Sequence, residues 1–79
     1  STFKNPISQT KKKVWELIQE SVPLEKSFGD ACISKKHCNF FVNKGNATYK
    51  DMKKLIDFVA KNVLEKTGIS LEKEIKILE

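Results

Sequence analysis

Residues 48–68, TYKDMKKLIDFVAKNVLEKTG, specify a helix together with both of its ends. Thr48 followed three positions later by Asp51 is a capping box, with Asp in place of the usual Glu. Met52, Leu55, Ile56, Val59 and Val63 recur at helical spacing and form one apolar stripe. Gly68 is the residue type that closes a helix in the left-handed conformation. The expected helix spans 49–66, and its one-sided stripe has to be covered by a second layer. It is therefore a core-packing element with no chemistry of its own. At 79 residues the chain makes a single domain. A domain of this size buries only about 60% of its unfolded surface, so the core is small.

The other elements follow from the same rules. Residues 2–5, Thr-Phe-Lys-Asn, read as a short strand ended by Pro6. A first helix is expected over 11–22, with Val14, Leu17, Ile18 and Val22 as its stripe. Thr10 is its expected N-cap, Pro23 its stop, and Trp15 a packing anchor at its rim. ACIS and CNFFVN are strand candidates separated by the basic stretch Ser34-Lys35-Lys36-His37. In the second strand Phe40 and Val42 share one face and Phe41 takes the other, which predicts a strand covered on both sides. Gly29-Asp30 marks a turn before them, and Gly45 with Asn43 and Asn46 marks the exit. EIKIL closes the chain as a strand, with Ile75 and Ile77 on one side and Glu74 and Lys76 on the other. The order β-α-β-β-α-β predicts an α+β domain over residues 1–79, with two helices on one face of a small mixed sheet containing CNFFV and EIKIL.

Composition narrows the function classes. Net charge is +5, and all fifteen cations are lysine. Without arginine the bidentate contacts to guanine and phosphate are missing, which weakens a nucleic-acid reading. That reading would rest on Lys11-Lys12-Lys13 and Lys35-Lys36 as a small basic α+β binding domain, with surface aromatics for stacking. Cys32 and Cys38 read as reduced thiols serving as small apolar side chains. With His37 they make three soft ligands where a structural zinc needs four, so no metal is expected. No run approaches the roughly 18 apolar residues of a membrane span, and no signal peptide is expected, which fits a cytoplasmic protein.

The polar groups that could form a site are Ser1, Lys4, Asn5, Lys35, Lys36, His37, Asn39, Asn43 and Glu74. Three stretches connect them to a family. STFKNP, ISKKHCNFFVNKGNAT and GISLEKEIKIL resemble, in order, motifs of the C-terminal domain of bacterial UDP-N-acetylenolpyruvoylglucosamine reductases. Members carry Gly-Ser-x-Phe-Lys-Asn-Pro, then Ser-x-x-His-x-Asn-Phe-x-x-Asn-x-Gly-x-Ala, then a closing Leu-Glu-Pro-Glu strand. Here the glycine falls before the first residue, and Lys73-Glu74 replaces Pro-Glu. QESVPLEKSFGD stands where members read Glu-Ala-Gly-Leu-Lys-Gly. The substrate-capping insertion of some members is missing, so the chain resembles the shorter type.

The resemblance implies a role for each matched residue. Ser1 is the expected proton donor to the enolpyruvyl group after a hydride has arrived from reduced flavin. Glu74 is expected to stabilise the intermediate, carrying or sharing a proton that burial would favour. Asn5, and more weakly Lys4, are expected at the UDP diphosphate. FAD, the reductant NADPH's site and a catalytic arginine belong to N-terminal domains outside these residues, so the chain alone is expected to be inactive. The parent reaction would make UDP-N-acetylmuramate for peptidoglycan from UDP-N-acetyl-enolpyruvoylglucosamine. If so, the side-chain oxygens of Ser1 and Glu74 have to lie within about 10 Å of each other.

Overall fold

The computed structural model describes residues 1–74. The core-packing helix, α2, spans Tyr49–Thr67. Its capping box is complete: Thr48 Oγ1 accepts from the Asp51 N–H and Asp51 Oδ2 accepts from the Thr48 N–H, each at 3.0 Å. Gly68 adopts φ 77° and donates its N–H to the Leu64 carbonyl, so the helix stops there. Leu55, Ile56, Val59 and Val63 are buried, as the stripe predicts.

The first helix, α1, is shorter than expected and spans Val14–Ser21. Thr10 does not cap it. Its Oγ1 accepts from the Lys12 N–H at 3.1 Å in a local turn, and Lys13 becomes the N-cap. Three successive ammonium groups suit the positive end of a helix poorly. Acceptors come instead from Glu16, whose Oε1 takes the Lys13 N–H at 3.0 Å, and from Asn5, whose Oδ1 takes the Val14 N–H at 3.0 Å. Val22, ahead of Pro23, is extended, as the residue before a proline prefers. α1 packs on α2, and α2 also lies on the strands Ser27–Phe28 and Ala31–Ile33.

Among the described residues two antiparallel sheets stand where one mixed sheet was expected. β1, Phe3–Lys4, pairs with β5, Glu72–Lys73, with Phe3 opposite Lys73 and Lys4 opposite Glu72. β2 (Ser27–Phe28), β3 (Ala31–Ile33) and β4 (Phe41–Asn43) form the other. The element order is the expected one with β2 added. β2 and β3 make a hairpin about Gly29-Asp30, and Gly29 has φ 57°. The CNFFVN strand begins only at Phe41, because residues 37–40 form a turn closed by a Phe40 N–H to His37 carbonyl bond of 2.8 Å. It is not covered on both faces: Phe40 and Val42 are 45% and 39% exposed, while Phe41 packs edge-on against Phe3 at 6.0 Å. Of the expected EIKIL strand, Glu74 is described and residues 75–78 lie outside the described residues. The core joins both helix stripes to Phe3, Ala31, Ile33 and Cys38.

Candidate functional site

The N-terminal stretch alternates between anchoring and presenting. Thr2 and Phe3 are buried, which fixes the backbone, while Ser1, Lys4 and Asn5 on either side stay exposed. Antiparallel pairing brings the far end of the chain alongside. The Glu74 N–H donates to the Thr2 carbonyl at 2.8 Å, and the Ser1 hydroxyl donates to Glu74 Oε2. The two groups are 73 positions apart in sequence yet in direct contact. Glu74 is exposed, so it is not burial that places a proton beside it; the hydrogen it shares is the one on Ser1 Oγ.

Lys4 pairs with Glu72 at 3.2 Å, with side chains 55% and 75% exposed. Such a pair contributes little stability and leaves the ammonium accessible. Asn5 uses its Oδ1 to hold the start of α1, and its Nδ2 has no hydrogen-bond partner among the described residues. A hollow of about 300 Å³ lies beside it, lined by Ile7, Thr10, Lys11, Lys12 and Lys13. Asn5 therefore caps a helix with its amide oxygen and is itself part of the lining of a lysine-rich hollow.

A cleft of about 500 Å³ has Ser1 in its lining. Its walls are Trp15, Gln19 and Leu24 on one side and residues 35–40 on the other. This is within the size range of small-molecule sites, which combine apolar walls with a few placed polar groups. Trp15 was expected as a packing anchor at a rim. It is 49% exposed and forms part of this wall. The His37 ring stands edge-on to Phe40 at 5.6 Å, and Lys35 and Lys36 add positive charge to the lining. Cys38 Sγ donates to the Trp15 carbonyl at 3.1 Å, tying the loop to α1. Burial raises the Cys38 thiol above its ordinary pKa, so it stays protonated and unreactive. Both cysteines are free, and no group of three metal-ligating side chains is gathered among the described residues.

The structure thus joins Ser1 and Glu74, sets the 35–39 loop beside them, and places Lys4 and Asn5 further along the same edge. The cleft contributions of Trp15 and Gln19 were missed in the sequence, because both look like ordinary positions on an amphipathic helix.

A sequence model of the UDP-N-acetylenolpyruvoylglucosamine reductase C-terminal domain matches residues 1–78. The chain belongs to that family. It is 72% identical over 79 residues, its whole length, to the UDP-N-acetylenolpyruvoylglucosamine reductase of Pelagibacter ubique, covering 26% of that protein. The reductase of Rickettsia typhi is 46% identical over 76 residues, 96% of this chain and 25% of that one. The reductase of Orientia tsutsugamushi is 47% identical over 66 residues, 84% of this chain and 22% of that one. The chain therefore spans about a quarter of the length of these relatives. Membership favours the reductase-domain reading over the nucleic-acid alternative. Phe40, expected on a strand covered on both faces, is exposed and leaves a surface aromatic near Lys35 and Lys36.

Proposed function

We propose that this domain binds UDP-N-acetyl-enolpyruvoylglucosamine and donates the proton in its reduction to UDP-N-acetylmuramate, within a cytoplasmic, FAD- and NADPH-dependent reductase of peptidoglycan synthesis. The single observation that carries the reading is the contact between Ser1 and Glu74 at an exposed edge beside a cleft. Nothing about packing requires a hydroxyl and a carboxylate to meet there.

The described residues offer no Rossmann-type turn for the flavin's pyrophosphate. None of the chain's three glycines opens a helix: Gly29 and Gly45 sit in loops and Gly68 closes α2, so the tight glycine turn that receives a dinucleotide's pyrophosphate is missing among the described residues. In this reading FAD, NADPH and the arginine belong to the preceding domains of the parent, which are this domain's partner, and the isolated domain does not turn over. The hydride is their contribution.

What this chain's residues do follows from their geometry. Ser1 Oγ delivers a proton to the carbon adjacent to the one reduced. A serine hydroxyl is a very weak acid, so the step works only on a strongly basic carbanion or enolate held close to it. Glu74 accepts the Ser1 hydrogen before substrate arrives, which holds Oγ at the edge. It then stands beside the enolpyruvyl carboxylate region as the intermediate forms. Asn5 Nδ2 and, more weakly, Lys4 Nζ donate to the diphosphate, with Lys11 to Lys13 adding charge around that hollow.

The test is rapid kinetics on the full-length protein bearing this domain. Ser1→Ala is expected to leave flavin reduction by NADPH unchanged and to slow reoxidation by the enolpyruvyl substrate by about 10²- to 10⁴-fold, the worth of a general acid. Reoxidation at the parental rate would remove Ser1 from the role.

A further inference from the structure

We infer that Asn39 is a positioning residue for the proton donor: its amide takes the place of a β-strand and holds the backbone that carries Ser1. The inference rests on the reading of Ser1 given above.

In an antiparallel pair, successive residues alternately turn their N–H and C=O groups toward the partner strand and away from it. Thr2 turns toward β5, because its carbonyl accepts from the Glu74 N–H at 2.8 Å. Phe3 therefore turns the other way, where the two-stranded sheet has no third strand among the described residues. Both of its backbone groups would be left without partners in a residue that is 1% exposed. The Asn39 side chain meets both. Oδ1 accepts from the Phe3 N–H and Nδ2 donates to the Phe3 carbonyl, each at 3.0 Å. The Asn39 backbone carbonyl also accepts from the Thr2 N–H at 2.7 Å.

All four backbone polar groups of Thr2 and Phe3 are thus bound, three by Asn39 and one by Glu74. Ser1 is the next residue outward. The clamp is itself anchored, because Cys38 bonds to the Trp15 carbonyl and Phe40 closes the turn on His37. A side-chain amide is suited to this place because it sets a donor and an acceptor side by side in one plane. An aspartate of the same shape would put a carboxylate oxygen against the Phe3 carbonyl, and only its protonated form restores the donor.

The experiment uses the full-length protein and two variants, with Ser1→Ala as reference. Asn39→Ala is expected to raise hydrogen exchange at the Phe3 amide at least tenfold while amides within α2 keep their protection. Asn39→Asp at neutral pH is expected to slow substrate-driven flavin reoxidation by about 100-fold, the cost of roughly 1 Å of misplacement. Its flavin reduction by NADPH stays within about threefold of the parent. As pH falls from about 7 toward 5, the ratio of Asn39→Asp to parent reoxidation rates rises, because protonation restores the donor; carboxyls facing a carbonyl oxygen titrate above their usual value of about 4. Lys35, Lys36, His37 and Glu74 are the charged and titratable groups nearby in both proteins, so the ratio cancels their contributions.

A flat ratio, an unchanged Phe3 exchange rate, or a reoxidation rate near the parent's overturns the clamp. Loss of α2 protection in Asn39→Ala assigns Asn39 a general structural role and also overturns it. If Ser1→Ala itself reoxidises normally, the proton-donor reading fails first, and this inference fails with it.

Discussion

Gly29→Ala tests how the β2–β3 hairpin is locked to α2. Two effects add. Gly29 has φ 57°, in the left-handed region, where an alanine costs about 1–2 kcal/mol. A Cβ built on Gly29 would also lie 2.5 Å from Asp51 Oδ2 and 2.9 Å from Asp51 Cγ. The carboxylate has to swing away, and Oδ2 is the atom that accepts from the Thr48 N–H. Losing that half of the capping box costs about 1 kcal/mol more. The sum is about 2–3 kcal/mol, or roughly 10–20 °C in Tm for a domain of this size. Urea unfolding of the domain followed by circular dichroism measures it. Repeating the substitution in an Asp51→Ala background separates the terms. With the carboxylate gone only the backbone cost remains, so the two substitutions are sub-additive by about 1 kcal/mol. A neutral Gly29→Ala, or strict additivity with Asp51→Ala, would refute the reasoning.

Asn5 divides stability from binding. Asn5→Asp keeps the acceptor for the Val14 N–H and loses the Nδ2 donor, so the domain stays as stable as the parent while substrate KM in the full-length protein rises; Asn5→Ala loses both and also destabilises the domain by about 1 kcal/mol in urea unfolding. Lys4→Ala changes stability by less than about 0.5 kcal/mol, since its ion pair with Glu72 is exposed, and its effect is confined to substrate KM in steady-state assays. The Cys38 thiol, whose pKa is raised by burial, is neutral in both folded and unfolded chains below its ordinary value of 9.0, so its packing contribution is complete there. As pH rises above that value the unfolded thiol ionises first, stability falls, and Cys38→Ala flattens this part of a stability-against-pH curve. Cys32 reacts with iodoacetamide faster than Cys38 in the native protein, because Cys38 is the buried one.

The two helices and their buried stripes were legible because apolar periodicity and the signals that end a helix lie close together in sequence. The start of α1 was not. Its N-terminal acceptor comes from Asn5, nine positions away, which no local rule connects to Val14. The division into two sheets was hidden for a related reason. Phe3 finds its second partner in a side chain, Asn39, and a propensity rule for strands does not register an asparagine substituting for one. β2 is two residues long and falls below any useful alternation signal, although Gly29-Asp30 marked its turn. For the site, residue type named Ser1, Lys4, Asn5 and Glu74 among nine polar candidates, and only the family resemblance joined Ser1 to Glu74. The pairing of β1 with β5 then brought those two into contact.

The central claim is that the Ser1–Glu74 edge faces the reacting end of the substrate. A crystal structure of the full-length protein with UDP-N-acetyl-enolpyruvoylglucosamine bound measures this directly. The account predicts Ser1 Oγ within about 3.5 Å of the enolpyruvyl carbon that is protonated, with the Glu74 carboxylate beside the same three-carbon group. An enolpyruvyl group lying well beyond that reach, with Ser1 still bonded only to Glu74, would contradict it.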